Sequence, residues 1–308
     1  MNTLCADTRA KLQQAGIKSV VDFVRCAPGR IASKAGIPYK EVVEIRRRLL
    51  HECACIPIAA SNLWEATNHA LLPTGSHNLD VLLDGGLLTG QLTEVCGGPG
   101  AGKTQLCHSV ASYISMATGS TVAYVDPSGS FDAHLTQEVL RSRCLSEEDI
   151  DLASGKIRVF QLFSIFELLS LLNSFKEGIP RMDDPFLANL RLVVIDPVTP
   201  LLSPLLGGRH SHGHVIMCQL VRAMRELASE HGIAILYTNN MVSNVGERGC
   251  GLKPALGLTW SHTPSTRLTL STTLTTDGTR VATLTKSQQL ATGVSTSFTI
   301  SSHGLTDQ

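Results

Sequence analysis

The first fifty residues carry their apolar positions at helical spacing. Leu12, Ala15 and Ile17 begin the pattern, and Val20, Val21, Phe23 and Val24 continue it. Pro28 and Gly29 interrupt it. A second pair of helices is predicted on either side of Gly36-Ile37-Pro38, ending in Val42, Val43, Ile45, Leu49 and Leu50. This gives a small helical domain over residues 1–51. Over residues 52–62, ECACIPIAASN, the period is lost. Pro57 between Ile56 and Ile58, followed by small residues, predicts an extended linker. Its apolar residues could add to a neighbouring subunit's sheet edge or pack on their own domain.

From residue 63 to 308 short apolar runs alternate with helical segments. Strands are predicted at 92–96, 121–126, 157–161, 190–196 and 233–238. They are short and largely unalternating, the pattern of strands buried on both faces. Between them, segments such as 216–231 have helical spacing. The apolar stretch 159–175 reads as a strand end followed by a buried helix and is short for a membrane span. The tail differs: 266–271, 280–286 and 296–301 are Thr- and Val-rich strands joined by turns, which extend the sheet antiparallel. The fold class is therefore α/β, with a mainly parallel central sheet and a small N-terminal helical domain.

Length and composition narrow the picture. A chain of 308 residues fits one large domain and one small one. At 43% hydrophobic and 17% charged residues it is globular, not disordered. Lys plus Arg equal Asp plus Glu, 26 each, so any nucleic-acid contact must come from local basic clusters. Nine cysteines lack zinc-knuckle spacing, since Cys53 and Cys55 stand too close, and read as reduced thiols. The first residues contain no apolar signal core, so no secretory signal is expected, and no membrane partner. Gly16-Ile17 and Gly36-Ile37 fit the turn of a helix-hairpin-helix, or plain turns between helices. Arg46, Arg47 and Arg48 are a basic cluster or a solvated helix face. His210, His212 and His214 alternate, as metal ligands or as a polar loop tip.

One motif carries chemistry. Gly97-Gly98-Pro99-Gly100-Ala101-Gly102-Lys103-Thr104 fits G-x-x-x-x-G-K-[ST] at every fixed position, between a predicted strand and a predicted helix opening with Gln105. Its glycines let backbone N–H groups surround phosphate oxygens. Lys103 supplies a point charge to the β- and γ-phosphates, and Thr104 a hydroxyl to Mg²⁺. Leu192-Val193-Val194-Ile195-Asp196 is an apolar strand ending in a carboxylate, which can order Mg²⁺ through water. The implied cofactors are ATP and Mg²⁺.

These features resemble the eukaryotic RecA-like recombinases over nearly the whole chain. Leu79-Asp80-Val81-Leu82-Leu83-Asp84-Gly85-Gly86-Leu87, with Thr93-Glu94, resembles the family's approach to the phosphate loop. Tyr237-Thr238-Asn239-Asn240 resembles its γ-phosphate sensor strand, making Asn240 a water or γ-phosphate sensor. Leu252-Lys253-Pro254-Ala255-Leu256-Gly257, Trp260-Ser261 and Pro264-Ser265-Thr266-Arg267 are similar to the D branch of the recombinase paralogues, as are Pro204-Leu205-Leu206-Gly207-Gly208 and the stretch from Ile17 to Asp22. The resemblance implies a RecA-like ATPase core and two DNA-facing loops, at 203–214 with Arg209 and at 241–254 with Arg248 and Lys253. It also implies that Lys286 reaches a neighbouring subunit's γ-phosphate.

Two departures qualify the expected activity. The family's catalytic segment Asp-x-Glu-Gly is Asp126-Pro127-Ser128-Gly129 here, and Ser128 cannot serve as a base without an activating partner. The Phe-x-x-Ala of the polymerising linker is Ile56-Pro57-Ile58-Ala59. The lost aromatic anchor should cost about 2 kcal/mol of interface energy. The resemblance, so qualified, implies an ATP-binding paralogue with a weak DNA-stimulated ATPase. It would join related paralogues on single-stranded or branched DNA in homologous recombination repair, in the nucleus and secondarily the cytoplasm. The alternatives are a homofilament strand-exchange recombinase and a non-enzymatic adaptor stabilised by nucleotide.

Overall fold

The computed structural model describes residues 6–17, 20–53, 59–60, 70–144, 146–206, 212–246, 249–273, 278–301 and 303–307. The chain divides into two compact units, Met1–Ala66 and Thr67–Gln308.

The first unit holds helices α1 (Ala6–Gln14), α2 (Val20–Arg25), α3 (Pro28–Ala35) and α4 (Tyr39–Cys53). Leu12, Ile17, Phe23, Ile31, Ile37, Val42 and Leu49 meet in one buried cluster, joining positions set at helical spacing in the sequence. α3 opens on a proline and closes at Gly36, whose φ of 63° places it in the left-handed region that ends helices. α4 runs on to Cys53, past the boundary expected at residue 51. Arg46 is not simply solvated. Its guanidinium donates to the Val24 carbonyl at 2.9 Å and the Cys26 carbonyl at 3.2 Å, capping the end of α2. Arg48 pairs with Glu44 on the exposed face. The Ile56-Pro57-Ile58 segment lies outside the described residues.

The second unit opens with β1 (Leu71–Leu72), α5 (His77–Leu82), β2 (Leu87–Leu88), β3 (Leu92–Gly97) and α6 (Lys103–Ala117). β4 (Thr121–Asp126), α7 (Ala133–Arg141), α8 (Glu147–Gly155), β5 (Ile157–Gln161) and α9 (Ile165–Gly178) follow. Then come α10 (Pro185–Ala188), β6 (Leu190–Ile195), α11 (Thr199–Leu202), α12 (His212–His231), β7 (Ala234–Gly246) and β8 (Gly249–Pro254). The chain closes with α13 (Gly257–Ser261), β9 (Thr266–Thr272), β10 (Thr279–Lys286), β11 (Ser295–Ser301) and β12 (Gly304–Thr306). The large sheet runs β12-β11-β10-β9-β3-β7-β6-β4-β5. Pairs from β9 to β5 are parallel, and those from β9 to β12 antiparallel.

Both faces of the sheet are covered. On one, Leu106, Val110 and Ile114 of α6 meet Val95, Tyr124, Val194, Leu236 and Leu268. On the other, Leu168 and Leu172 of α9 and Leu220, Met224 and Leu227 of α12 meet Val125, Val193, Ile195 and Ile235. β3 and β4 are accordingly buried along their whole length. No helix of the described residues is long and apolar enough to cross a membrane.

Three elements depart from the expectations. β5 is not buried on both faces. It pairs with β4 alone and stands at the sheet edge, with Val159 exposed and Arg158 paired outward to Asp184. The segment expected as a loop at 241–254 is an antiparallel ribbon, with β7 and β8 paired from Met241↔Pro254 to Gly246↔Gly249, which satisfies backbone groups a loop would leave to water. The segment expected as a loop at 203–214 begins with a 3₁₀ turn at Ser203–Leu205, and its last residues already belong to α12.

The C-terminus is tied to the start of α5. Ser76 caps that helix, and Asp307 accepts from the Ser76 hydroxyl and from the backbone N–H groups of His77 (2.6 Å) and Asn78 (3.2 Å). Burial alone would raise the Asp307 pKa, but these donors outweigh it and hold the carboxyl below its ordinary value. A depressed folded-state pKa contributes stability above the unfolded pKa and loses it as pH falls through the folded one. Asp307→Ala is therefore expected to cost about 1 kcal/mol at neutral pH. In paired thermal melts the gap should close as the pH drops below the usual carboxylate range.

Candidate nucleotide-binding site

β3 delivers the chain at Gly97 to the tight turn that opens α6, where Lys103 is the first helical residue. Gly100 and Gly102 have φ of 71° and 95°, a conformation that penalises any side chain. Space imposes a second requirement. A Cβ on Gly102 would lie 2.2 Å from Ile300 Cδ1, and one on Gly97 would lie 2.7 Å from the Leu270 carbonyl oxygen. Gly98 and Gly100 have open space about them. Lys103 Nζ lies across the turn, donating to the carbonyls of Gly97 (2.9 Å) and Gly98 (3.1 Å). Burial pulls its pKa below the ordinary lysine value, and Asp196 pulls the other way. A glycine turn, a helix N-terminus and an ammonium with only carbonyl partners together fit a polyphosphate. Thr104 and Gln105 stand half-buried in the first turn of α6, and Gln105 Oε1 is buried without a hydrogen bond among the described residues.

Asp196 follows β6 directly and is buried. The Tyr124 hydroxyl donates to one carboxylate oxygen at 2.9 Å and the Thr238 hydroxyl to the other. Burial, then neighbouring groups including Asp196, push the Tyr124 pKa well up, so the phenol remains a donor. The Tyr124 ring packs against Phe131 (4.8 Å between centroids) and His108 (5.2 Å). A carboxylate fixed by two hydroxyls suits a hard cation carrying its own water, which the Thr104 hydroxyl would help to hold.

Ser128 is occupied elsewhere. Its hydroxyl and N–H both donate to Asp126 at 3.0 Å, and Phe131 N–H donates to the other Asp126 oxygen at 2.7 Å. Burial would raise the Asp126 pKa, but these bonds and the Ser130 N–H outweigh it and hold it low. Asn240 is the register partner of Gly97 across β3 and β7, which sets it beside the phosphate loop. Its N–H donates to Thr199 Oγ1 at 3.1 Å and its side chain is exposed.

Residues 67–308 match the sequence profile of the Rad51 family, and residues 2–52 that of the RAD51D N-terminal domain. The chain belongs to the Rad51 family. It is 38% identical to the DNA repair protein RAD51 homolog 4 of Bos taurus, over 98% of this chain and 93% of that one. To the Mus musculus protein of the same name it is 35% identical, over 99% and 94%. Its fold is similar to that of the RadB recombinase, with a TM-score of 0.64 and 25% identity over 77% of this chain and 100% of that one.

Within this Rad51-family core, further groups are tied to the site. Glu94, fully buried on β3, accepts from Asn239 Nδ2 (2.8 Å), Trp260 Nε1 (3.1 Å) and Arg267 Nε. Asn239 also accepts from the Thr199 hydroxyl at 2.8 Å and donates to the Ala255 carbonyl at 3.1 Å. β3, which leads into the glycine turn, β7 and the base of the ribbon thus share one polar network. The sequence offered only a hint of it, a lone carboxylate inside an apolar strand. Lys286 joins its edge, donating to the Ser261 carbonyl at 2.9 Å; burial and then Arg267 lower its pKa. Lys253 is exposed on β8, opposite Val242. Arg209 and Arg248 lie outside the described residues, as does His210. Among the described residues no cluster of three His, Cys, Asp or Glu could hold a metal.

Proposed function

We propose that this chain binds ATP with Mg²⁺, hydrolyses it slowly, and acts in recombinational DNA repair as one subunit of a hetero-complex of Rad51-family proteins on single-stranded or branched DNA. The observation that carries the reading is the glycine turn, with Gly100 and Gly102 at positive φ and Gly97 against the Leu270 carbonyl, Lys103 across it and Asp196 fixed nearby. Magnesium held there would offset charge on the phosphates. Thr104 and Asp196 would position it, and the N–H groups of the turn would hold the oxygens. Ser128, a hydroxyl tied to Asp126 and Ser130 where the family has a glutamate, supports slow turnover.

Pairing with a different subunit is supported by β5. An edge strand offers unpaired N–H and C=O groups, and beside it Phe163 and Phe166 are 73% and 61% exposed. An extended apolar linker from another subunit fits that edge. This chain's own linker, lacking the aromatic anchor, would serve a homopolymer poorly.

Native mass spectrometry of the chain co-expressed with Rad51-family paralogues, with and without ATP, tests the reading. A small discrete hetero-complex strengthened by ATP is expected. Long filaments of the purified chain alone on DNA would overturn it. Ser128→Glu is expected to raise single-turnover hydrolysis by about tenfold or more, as a positioned base would. An unchanged rate would show that the missing carboxylate is not the limit.

A further inference from the structure

Arg280 stands beside the glycine turn, on the β9 side of β3. Three register pairs place it. Gly97 pairs with Leu270, Leu270 with Ala282, and Arg280 with Thr272. Arg280 is therefore just beyond the level at which β3 gives way to the phosphate loop. It shares parity with Ala282 and Leu284, which pack in the layer beneath α6, so it faces the loop's side of the sheet. The contact is close: Arg280 Cγ is 3.9 Å from where a Cβ of Gly102 would stand.

Its polar end is under-satisfied. One terminal nitrogen donates to the Thr279 carbonyl at 3.0 Å. Nε is buried and bonds to nothing among the described residues. No ion pair of the described residues includes Arg280. A guanidinium presents five donors in a planar fork suited to phosphate, and a buried N–H without an acceptor is unfavourable. An arginine kept beside a phosphate loop without a carboxylate calls for an anion that arrives with the ligand.

The sheet order says which part of the ligand. Asp196 and Asn240 lie on the β7 and β6 side of β3, where the terminal phosphate belongs. Arg280 lies on the other side, across β9. We propose that Arg280 binds the nucleotide in cis at its α-phosphate and ribose end, opposite the end served by Lys103 and Asp196. This rests on the ATP-binding reading above.

Isothermal titration of the full chain with ATP and with ADP, for wild type, Arg280→Gln and Arg280→Lys, tests it. Arg280→Gln should weaken both nucleotides about tenfold and equally, since both retain the α-phosphate. Arg280→Lys, which keeps the charge but not the fork, should lose about threefold and carries the test if the glutamine variant fails to fold. Unchanged affinities, or a loss confined to ATP, would overturn the assignment while leaving ATP binding intact. Wild type binding neither nucleotide would sink both. Melting of the nucleotide-free proteins is expected to differ little, with the loss seen in the shift that nucleotide produces; a large fall in nucleotide-free melting with an undiminished shift would make Arg280 structural only.

Discussion

Lys103→Ala is expected to weaken ATP binding by about a thousandfold. The ammonium now satisfies two loop carbonyls, at 2.9 and 3.1 Å. A charge-assisted hydrogen bond contributes about 1.5–3 kcal/mol. Two such bonds to phosphate oxygens amount to about 4 kcal/mol, or about three decades in affinity. Folding should change less, because neutral carbonyls at the mouth can turn to water when the ammonium is removed. Calorimetric titration with ATP, beside a thermal melt without it, separates the two effects. A variant that binds ATP within a few-fold of wild type would remove the phosphate cradle from the account. The pH dependence has a definite sign. Burial lowers the Lys103 pKa, and only the protonated amine attracts phosphate, so affinity should decline at an alkaline pH where a surface lysine is still charged.

What could be read from the sequence was what lies close together along it. The glycine turn is contiguous, and strand, turn and helix follow at 92–117 as the motif requires. The tail strands were legible from their Thr- and Val-rich composition between turns. The edge position of β5 was not, because an apolar run does not say how many neighbours it will have. The ribbon at 241–254 was hidden by its glycines, which favour turns locally but here pair across two strands. Arg46 resembled a solvated charge until α2 turned its last carbonyls toward it. Arg280 was not legible in the sequence because its neighbour in the fold, Gly102, lies 178 positions earlier, and only the sheet brings them together. The Glu94 network is the clearest case. Its bonds join residues separated by 145, 166 and 173 positions, and no spacing rule reaches so far.

That network supports the second large effect. Arg267→Met is expected to destabilise the core by about 3–5 kcal/mol, the usual consequence of stranding one partner of a buried ion pair. Glu94 is 0% exposed and Arg267 mostly buried. Asn239 and Trp260 both donate to Glu94 Oε1, whereas Arg267 serves Oε2, so removing the guanidinium leaves one oxygen of a buried carboxylate without its donor. Lys286, the register partner of Arg267, donates to the same Ser261 carbonyl and makes no hydrogen bond to Glu94 among the described residues. In a domain of this size the loss corresponds to a fall of about 10 °C in melting temperature. Adding Glu94→Gln should recover part of the loss, since the stranded charge is then gone while the amide can still accept from Asn239 and Trp260. Because Asn239 is the neighbour of Asn240, the single variant should also weaken nucleotide binding, and the double variant less so. Melting within two degrees of wild type for Arg267→Met, or no recovery in the double variant, would show that the ion pair is not what holds the Glu94 network together.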